Sequence, residues 1–340
     1  MGAVYVSTNS PTGNEVLMFP RDGNGRLGAP RAFATGGLGT GGGLGNQGAV
    51  VLNRAGGRLF AVNAGSNQVS VFAVRRQGLE LLDRVWSGGT RPVSIAVHRR
   101  LVYVLNAGGA GNIRGFVLDR DDNLRHLAGS TRGLSSSAAE AAQVAFSPDG
   151  ALLVVTEKAT NVIGTYTVGA DGRAIGPNNF QPSAGATPFG FAFRHKGMLV
   201  VSEAFAGAAD ASALSSYRVG PGGTLSAISP SVGTTETAAC WVVVTRDGGF
   251  AYTSNTGSNA ISGYRLSPAG ELRLLDADGV TATTQAAPID LGLTNDDRFL
   301  YSLDSGAGTI SAFRVKADGS LAPRPGASGL PAGANGLAAR

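Results

Sequence analysis

The sequence predicts an all-β fold: a seven-bladed β-propeller, four antiparallel strands per blade, with the ring closed by the C-terminal strand. Three observations carry that prediction. A strand that ends in a polar residue recurs seven times, at intervals of about 49 residues between Asn9 and Asp304. Each interval holds short runs rich in β-branched and aromatic residues, cut by Gly, Asn and Asp, which read as strands joined by tight turns. No part of the unit sustains a helical period. A repeat of this size with four strands per unit is the signature of a propeller, and residues 1–340 are expected to form one such domain.

Residues 48–82 display the unit most plainly. The run Ala49 to Leu52 meets a glycine turn, and Leu59 to Val62 ends at Asn63. A Gly-Ser-Asn turn leads to Val69 to Val74, and Leu79 to Leu82 opens a fourth strand. The polar-ended second strands are Val4 to Asn9, Phe60 to Asn63, Tyr103 to Asn106, Val154 to Glu157, Val200 to Glu203, Tyr252 to Asn255 and Tyr301 to Asp304. Turns such as Ser147-Pro148-Asp149-Gly150 and Arg246-Asp247-Gly248-Gly249 fill the first hairpins, where Asp and Gly supply positive φ. Aromatic residues of the third strands, including Phe72, Phe116, Tyr166, Tyr217, Tyr264 and Phe313, are expected to pack between blades. The chain starts on a second strand. Leu337 to Arg340 are therefore expected to complete the blade begun by Val4 to Asn9, removing an open edge.

Composition narrows the function. Of 340 residues 52 are Gly, with no collagen-like period, which suits many turns. The net charge of +5 is scattered arginine; the lysines are Lys158, Lys196 and Lys316. No basic stripe with interleaved aromatics is present, so a nucleic-acid partner is not expected. Cys240 is the only cysteine, which excludes an intramolecular disulfide. No run approaches the ~20 apolar residues of a membrane helix, and no signal peptide is visible. The expectation is a soluble monomer of the cytoplasm, or of the periplasm or exterior if a leader has been removed, with a small-molecule ligand and no membrane partner.

The pattern resembles the seven-bladed lactonase-type propellers, the family of bacterial 6-phosphogluconolactonase and fungal carboxymuconate-lactonizing enzyme. Ser147-Pro148-Asp149-Gly150 carries the resemblance, with Asn63-Ala64-Gly65-Ser66-Asn67 and Asn255-Thr256-Gly257-Ser258-Asn259. It covers essentially the whole chain. It implies a lactone site where the first strands enter the central channel, served by a His, an Arg and a Glu. Glu203 stands at the glutamate position. Ala139 to Val144 replaces the His segment, and Thr187-Pro188-Phe189-Gly190 the Arg segment.

Strand direction supplies the candidate site. In each blade the first strand begins, and the second ends, on one face. That face is expected to gather Asn9, Asn63, Asn106, Glu157, Glu203, Asn255 and Asp304, with Gln47, Arg91, Glu140, Gln143, Thr237, Cys240 and Asp290 from the first-strand entries. Glu203 and Glu157 are the candidate general bases, since five of the seven units carry Asn or Asp there. Arg91 is the candidate oxyanion partner. Glu140, Gln143, Asn63, Asn106, Asn255, Asp290, Asp304 and Thr237 are the candidate substrate contacts. The competing reading has Glu157 and Glu203 capping turns or holding a neighbouring blade through backbone N–H groups.

His98 and His195 fall in first hairpins on the opposite face, and His126 near an outer strand. Cys240, beside Trp241, reads as a small buried residue. The Gly-x-Gly-x-x-Gly within Gly36 to Gly43 lacks the following helix that a phosphate cradle needs. No cofactor and no metal are expected. The expected activity is hydrolysis of a small lactone or sugar lactone in the central channel. The alternative is a non-catalytic propeller binding a small molecule or a protein partner on this face.

Overall fold

Alternating short strands and tight turns build seven antiparallel sheets arranged in a ring. The structure, a computed structural model, describes residues 2–194 and 197–340, with the side chains of residues 177 and 178 left out. From the channel outward, blade 2 runs Val50–Leu52, Arg58–Asn63, Gln68–Arg75 and Gly78–Trp86. Blades 3 to 7 repeat that order, beginning at Thr90–His98, Ala141–Phe146, Pro188–Arg194, Ala239–Val244 and Pro288–Leu293. The outermost strands of blades 3 and 6 are each broken into two short pieces. Among the described residues the helical content is two single 3₁₀ turns, Phe205–Gly207 and Pro221–Gly223. No helix is long and apolar enough to cross a membrane.

Blade 1 is closed as the sequence predicts. Its innermost strand, Asn335–Ala339, comes from the C-terminus and pairs antiparallel with Gly2–Ser7, aligning Val4 with Ala339 and Val6 with Leu337. The pairing continues through Ala3 N–H to the Arg340 carbonyl at 3.1 Å and Arg340 N–H to the Ala3 carbonyl at 3.0 Å. The innermost strand of blade 1 then packs against those of blades 7 and 2, which completes the ring.

The interblade seams are apolar with polar pins. Tyr103, Tyr252 and Tyr301, all on second strands, donate their hydroxyls to the carbonyls of Gly172, Gly319 and Gly25 in the third hairpin of the next blade, at 2.9, 2.8 and 2.7 Å. Tyr166 and Tyr264, on third strands, reach back to the Gly133 and Val232 carbonyls of the preceding blade, each at 2.9 Å. The aromatics do pack between blades, and their polar tips find partners, as a buried phenol requires.

The Asn-ended turns after the second strands, Gly-Ser-Asn in blades 2 and 6 and Ala-Thr-Asn in blade 4, have a matching function. Asn67, Asn161 and Asn259 each sit at φ 56, a left-handed conformation Asn tolerates. Their side-chain oxygens accept the N–H of Arg91, Thr187 and Ala287, the residues entering the next blade's first strand, at 2.7, 2.7 and 2.8 Å. Asn259→Ala is expected to lower stability by about 2 kcal/mol, combining a lost hydrogen bond with left-handed strain. Asn259→Gly should recover the strain part. Urea unfolding measures both, and an unchanged midpoint in Asn259→Ala would remove the latch from this account.

Candidate functional site

The second strand lies one step out from the channel, and the link that enters each blade runs across its end. The polar terminal side chains therefore point into the seam between blades. Glu157 is wholly buried. Its Oε1 accepts Ser135 N–H at 2.9 Å, and its Oε2 accepts the hydroxyls of Ser135 and of Thr160, the latter at 2.8 Å. Ser135 belongs to the link from blade 3 to blade 4. Glu203 is also wholly buried. Its Oε1 accepts Gly185 N–H at 2.8 Å and the hydroxyls of Ser183 and Ser215, while Oε2 accepts Ser231 at 2.6 Å. Gly185 belongs to the link from blade 4 to blade 5.

The expected catalytic trio is corrected by this geometry. Glu157 and Glu203 occupy different seams, share no hydrogen-bond partner and do not face the channel mouth with Arg91. The other second-strand ends follow suit. Asp304 is wholly buried among the hydroxyls of Ser302, Ser311 and Thr309, and burial pushes its carboxyl above the usual range. Asn63 Oδ1 accepts Thr35 at 2.6 Å and Asn14 at 2.9 Å. Asn106 donates to the Ser87 carbonyl at 3.3 Å, and Asn255 to Ser262 at 2.8 Å. None of the four is presented to solvent.

The first-strand candidates divide. Gln143, nearly buried, bonds both ways with the backbone of Phe191, tying blade 4 to blade 5 at 3.1 and 2.7 Å. Asp290 accepts Leu337 N–H and Leu291 N–H, each at 2.9 Å, and thereby pins the C-terminal strand. Burial pushes its carboxyl up to about 8. Thr237, in the link from blade 5 to blade 6, accepts Asp210 N–H at 3.0 Å. Arg91 and Glu140 are exposed on the entry face, at φ 54 and 47.

Sequence reasoning missed Lys158. It follows Glu157 where the other blades carry Ser10, Ala64, Ala107, Ala204, Thr256 and Ser305, and a long cation among small residues was the available signal. Its Nζ donates to the Gly45 carbonyl at 2.6 Å and lies 5.0 Å from the Phe189 ring centroid. Desolvation lowers its pKa, Glu140 opposes that shift, and Arg91 adds to it. Lys158, Glu140 and Arg91 thus share one electrostatic neighbourhood on the entry face.

The glycine-rich stretch also has a place. It is a loop that begins over blades 1 and 2, where Gly39 N–H reaches the Ser10 carbonyl at 2.7 Å and Gly65 N–H the Leu38 carbonyl at 3.0 Å. A Cβ on Gly39 would stand 2.1 Å from the Asn9 carbonyl, and one on Gly65 would stand 2.0 Å from the Gly39 carbonyl, so only glycine fits either position. The loop then crosses the axis. Gln47 N–H bonds the Ala142 carbonyl of blade 4 at 3.1 Å, and the Gln47 side chain bonds Val242 of blade 6 in both directions. Trp241 Nε1 donates to the Asn46 carbonyl at 2.7 Å. Blades 2 and 6 are not neighbours, so residues 45–47 bridge the channel and plug it at the entry face. No helix follows, which agrees with the rejection of a phosphate cradle.

Cys240 is nearly buried, and burial pushes its thiol up to about 12, which suits a packing residue and not a nucleophile. His98 lies on the far face, half-buried against Phe146. His126 rests on Phe116 and Trp86 at an outer strand. His195 lies outside the described residues. No group of three or more His, Cys, Asp or Glu side chains that could hold a metal ion occurs among the described residues.

Comparison with known proteins agrees with this architecture. A family model described as "Lactonase, 7-bladed beta-propeller" matches residues 129–222 and 214–332. A solved protein from Lactobacillus plantarum is 16% identical, with a TM-score of 0.81 over 100% of this chain and 99% of its own. A periplasmic gluconolactonase of Pseudomonas aeruginosa is 15% identical, with a TM-score of 0.78 over 98% of each chain. A Bacteroides fragilis protein, provisionally assigned as a 6-phosphogluconolactonase, is 17% identical, with a TM-score of 0.76 over 100% and 98%. At these identities the likeness carries the fold alone. No curated protein matches the sequence.

Proposed function

The chain belongs to the lactonase family of seven-bladed β-propellers, and on that premise we propose that it hydrolyses a small lactone or sugar lactone on the entry face, above the plug. The observation that carries the reading is Lys158, a desolvated ammonium held within reach of the fields of Glu140 and Arg91. An ammonium has three donors, and only one goes to Gly45. The remaining donors are available to a lactone carbonyl. In this reading Glu140 takes a proton from water as the water attacks the carbonyl carbon. Lys158 and Arg91 stabilise the oxyanion that forms. The ring C–O bond then breaks, and the leaving alkoxide takes a proton from Lys158, whose lowered pKa makes it a better acid. The product is an open-chain hydroxy acid.

One observation favours the second reading, a propeller that binds a ligand or partner on this face without turnover. The plug bridged by Gln47 and Val242 closes the channel in which a buried lactone would sit. A lactone panel in a pH-stat separates the two. Under the hydrolase reading at least one lactone is turned over, and Glu140→Gln and Lys158→Met each lower kcat/KM by roughly 10²-fold with Tm nearly unchanged. Absence of turnover across the panel, or full activity in both variants, would leave the binding reading in its place.

A further inference from the structure

The plug leaves the channel with one open end, and that end lies on the face of the first hairpins. The cavity is about 910 Å³. Its blind end is formed around Gln47, Gln143 and Asp290. Its rim carries Arg54, Arg99, Asp149, Arg246 and Asn295 from the first hairpins of blades 2, 3, 4, 6 and 7, and Arg194 from the end of the first strand of blade 5. Between rim and floor the wall is apolar, and Val51, Val97, Phe146, Phe193, Val244 and Leu293 are only partly buried there.

The rim carries several exposed guanidinium groups. Arg54, Arg99 and Arg246 are exposed, and among the described residues their guanidinium groups have no hydrogen bond or ion pair. Arg194 is half-buried and gives one donor to the Ser267 carbonyl at 2.6 Å. Acids share these hairpins: Asp149 accepts the Ser147 hydroxyl at 2.6 Å and Ala151 N–H at 3.0 Å, while Asp247 and Asp297 partly offset Arg194 and Arg246. Burial first, then Arg99 and Arg54, hold the neighbouring His98 below its ordinary pKa, and Asp149 opposes them, which places these charges in one neighbourhood. Guanidinium groups from several blades, free of ion pairs among the described residues, around an apolar well form a site with two chemistries. The guanidiniums suit a carboxylate, phosphate or sulfonate. The wall suits a hydrocarbon or aromatic body.

We propose that this funnel binds a small amphiphilic anion, its charged head at Arg54, Arg99 and Arg246 and its apolar body in the channel. The site is separate from the entry-face cluster, on the opposite side of the plug, and does not rest on the lactonase reading. Decanoate, decanol and decyltrimethylammonium are the probes, with affinity measured by calorimetry. Decanoate is expected to bind wild type. Decanol, of the same length without the charge, should bind about tenfold or more weakly, and the cationic probe should not bind. Replacing Arg54, Arg99 and Arg246 together by Ala should weaken decanoate by about tenfold or more. These side chains are exposed, so folding should be unaffected, and lactone turnover, if present, should persist. Val97→Trp, which fills the wall, should weaken decanoate and decanol alike. Glu140→Gln and Lys158→Met should leave decanoate binding unchanged, so the two sites fail or stand separately. Unchanged decanoate affinity in the triple arginine variant would overturn the proposal. So would inorganic phosphate binding as tightly as decanoate, which would make the rim an anion site with no use for the channel.

Discussion

Removing residues 335–340 is expected to abolish cooperative folding, or to lower Tm by more than about 10 °C. The deletion takes away the innermost strand of blade 1. It exposes the full edge of Gly2–Ser7, which pairs with that strand from Val4 to Ser7. It also removes Leu337, 5% exposed in a cluster with Phe299, Tyr301 and Val6, whose burial alone contributes about 2 kcal/mol. Asp290 loses the Leu337 N–H it accepts. Arg340 no longer joins Gly56 of blade 2 through its side chain or Arg21 of blade 1 through its carbonyl. The clasp therefore holds three blades, and a domain of ordinary stability, about 5–15 kcal/mol, has little left after its loss. Leu337→Ala in the full chain isolates the packing share and should cost about 2–4 kcal/mol. A truncated protein that melts within a few degrees of the full chain would mean that the ring is held without this strand.

The architecture was legible because propeller physics repeats itself along the chain. A strand and a polar end recur at each blade, with an Asn latch in the next turn of blades 2, 4 and 6, and each recurrence confirms the others. The placement of the polar ends was not legible to the same degree. Strand direction correctly sends Glu157, Glu203 and Arg91 to one face. It is silent on radial position, and radius decides whether a side chain meets the channel or the seam. Glu203 stands one strand out, beneath the link that carries Gly185, so it meets backbone N–H groups and serines. The sequence carried a hint in the serines themselves: Ser215 and Ser231 lie on the neighbouring strands of the same blade and suit an acceptor. The plug was invisible for another reason. A bridge from Gln47 to Val242 spans 195 residues and depends on an irregular loop, which no local pattern encodes. Lys158 lay between these cases, detectable only by comparing the residue after each second strand across the blades.

Glu203→Leu is expected to destabilise the protein by about 3–5 kcal/mol, lowering Tm by roughly 5–10 °C, while the folded protein keeps whatever turnover wild type has. Leucine fills much of the same volume but accepts nothing. Gly185 N–H and the hydroxyls of Ser215 and Ser231 would then be buried without their acceptor, and each such loss carries a desolvation cost. Ser183 would lose a weaker contact at 3.3 Å. Glu203→Gln should fall between, because the amide oxygen still accepts while its NH₂ faces hydroxyls that can rotate to accept from it. The ordering wild type, Gln, Leu in thermal stability is the mark of a seam acceptor. A general base leaves the opposite mark, with activity lost in Glu203→Gln and stability kept. Glu157→Leu should repeat the pattern through Ser135 and Thr160 in the seam between blades 3 and 4. Thermal melts paired with lactone turnover on the same preparations decide the matter. Full stability with activity lost in Glu203→Gln would return that carboxylate to the chemistry and displace Glu140 from it.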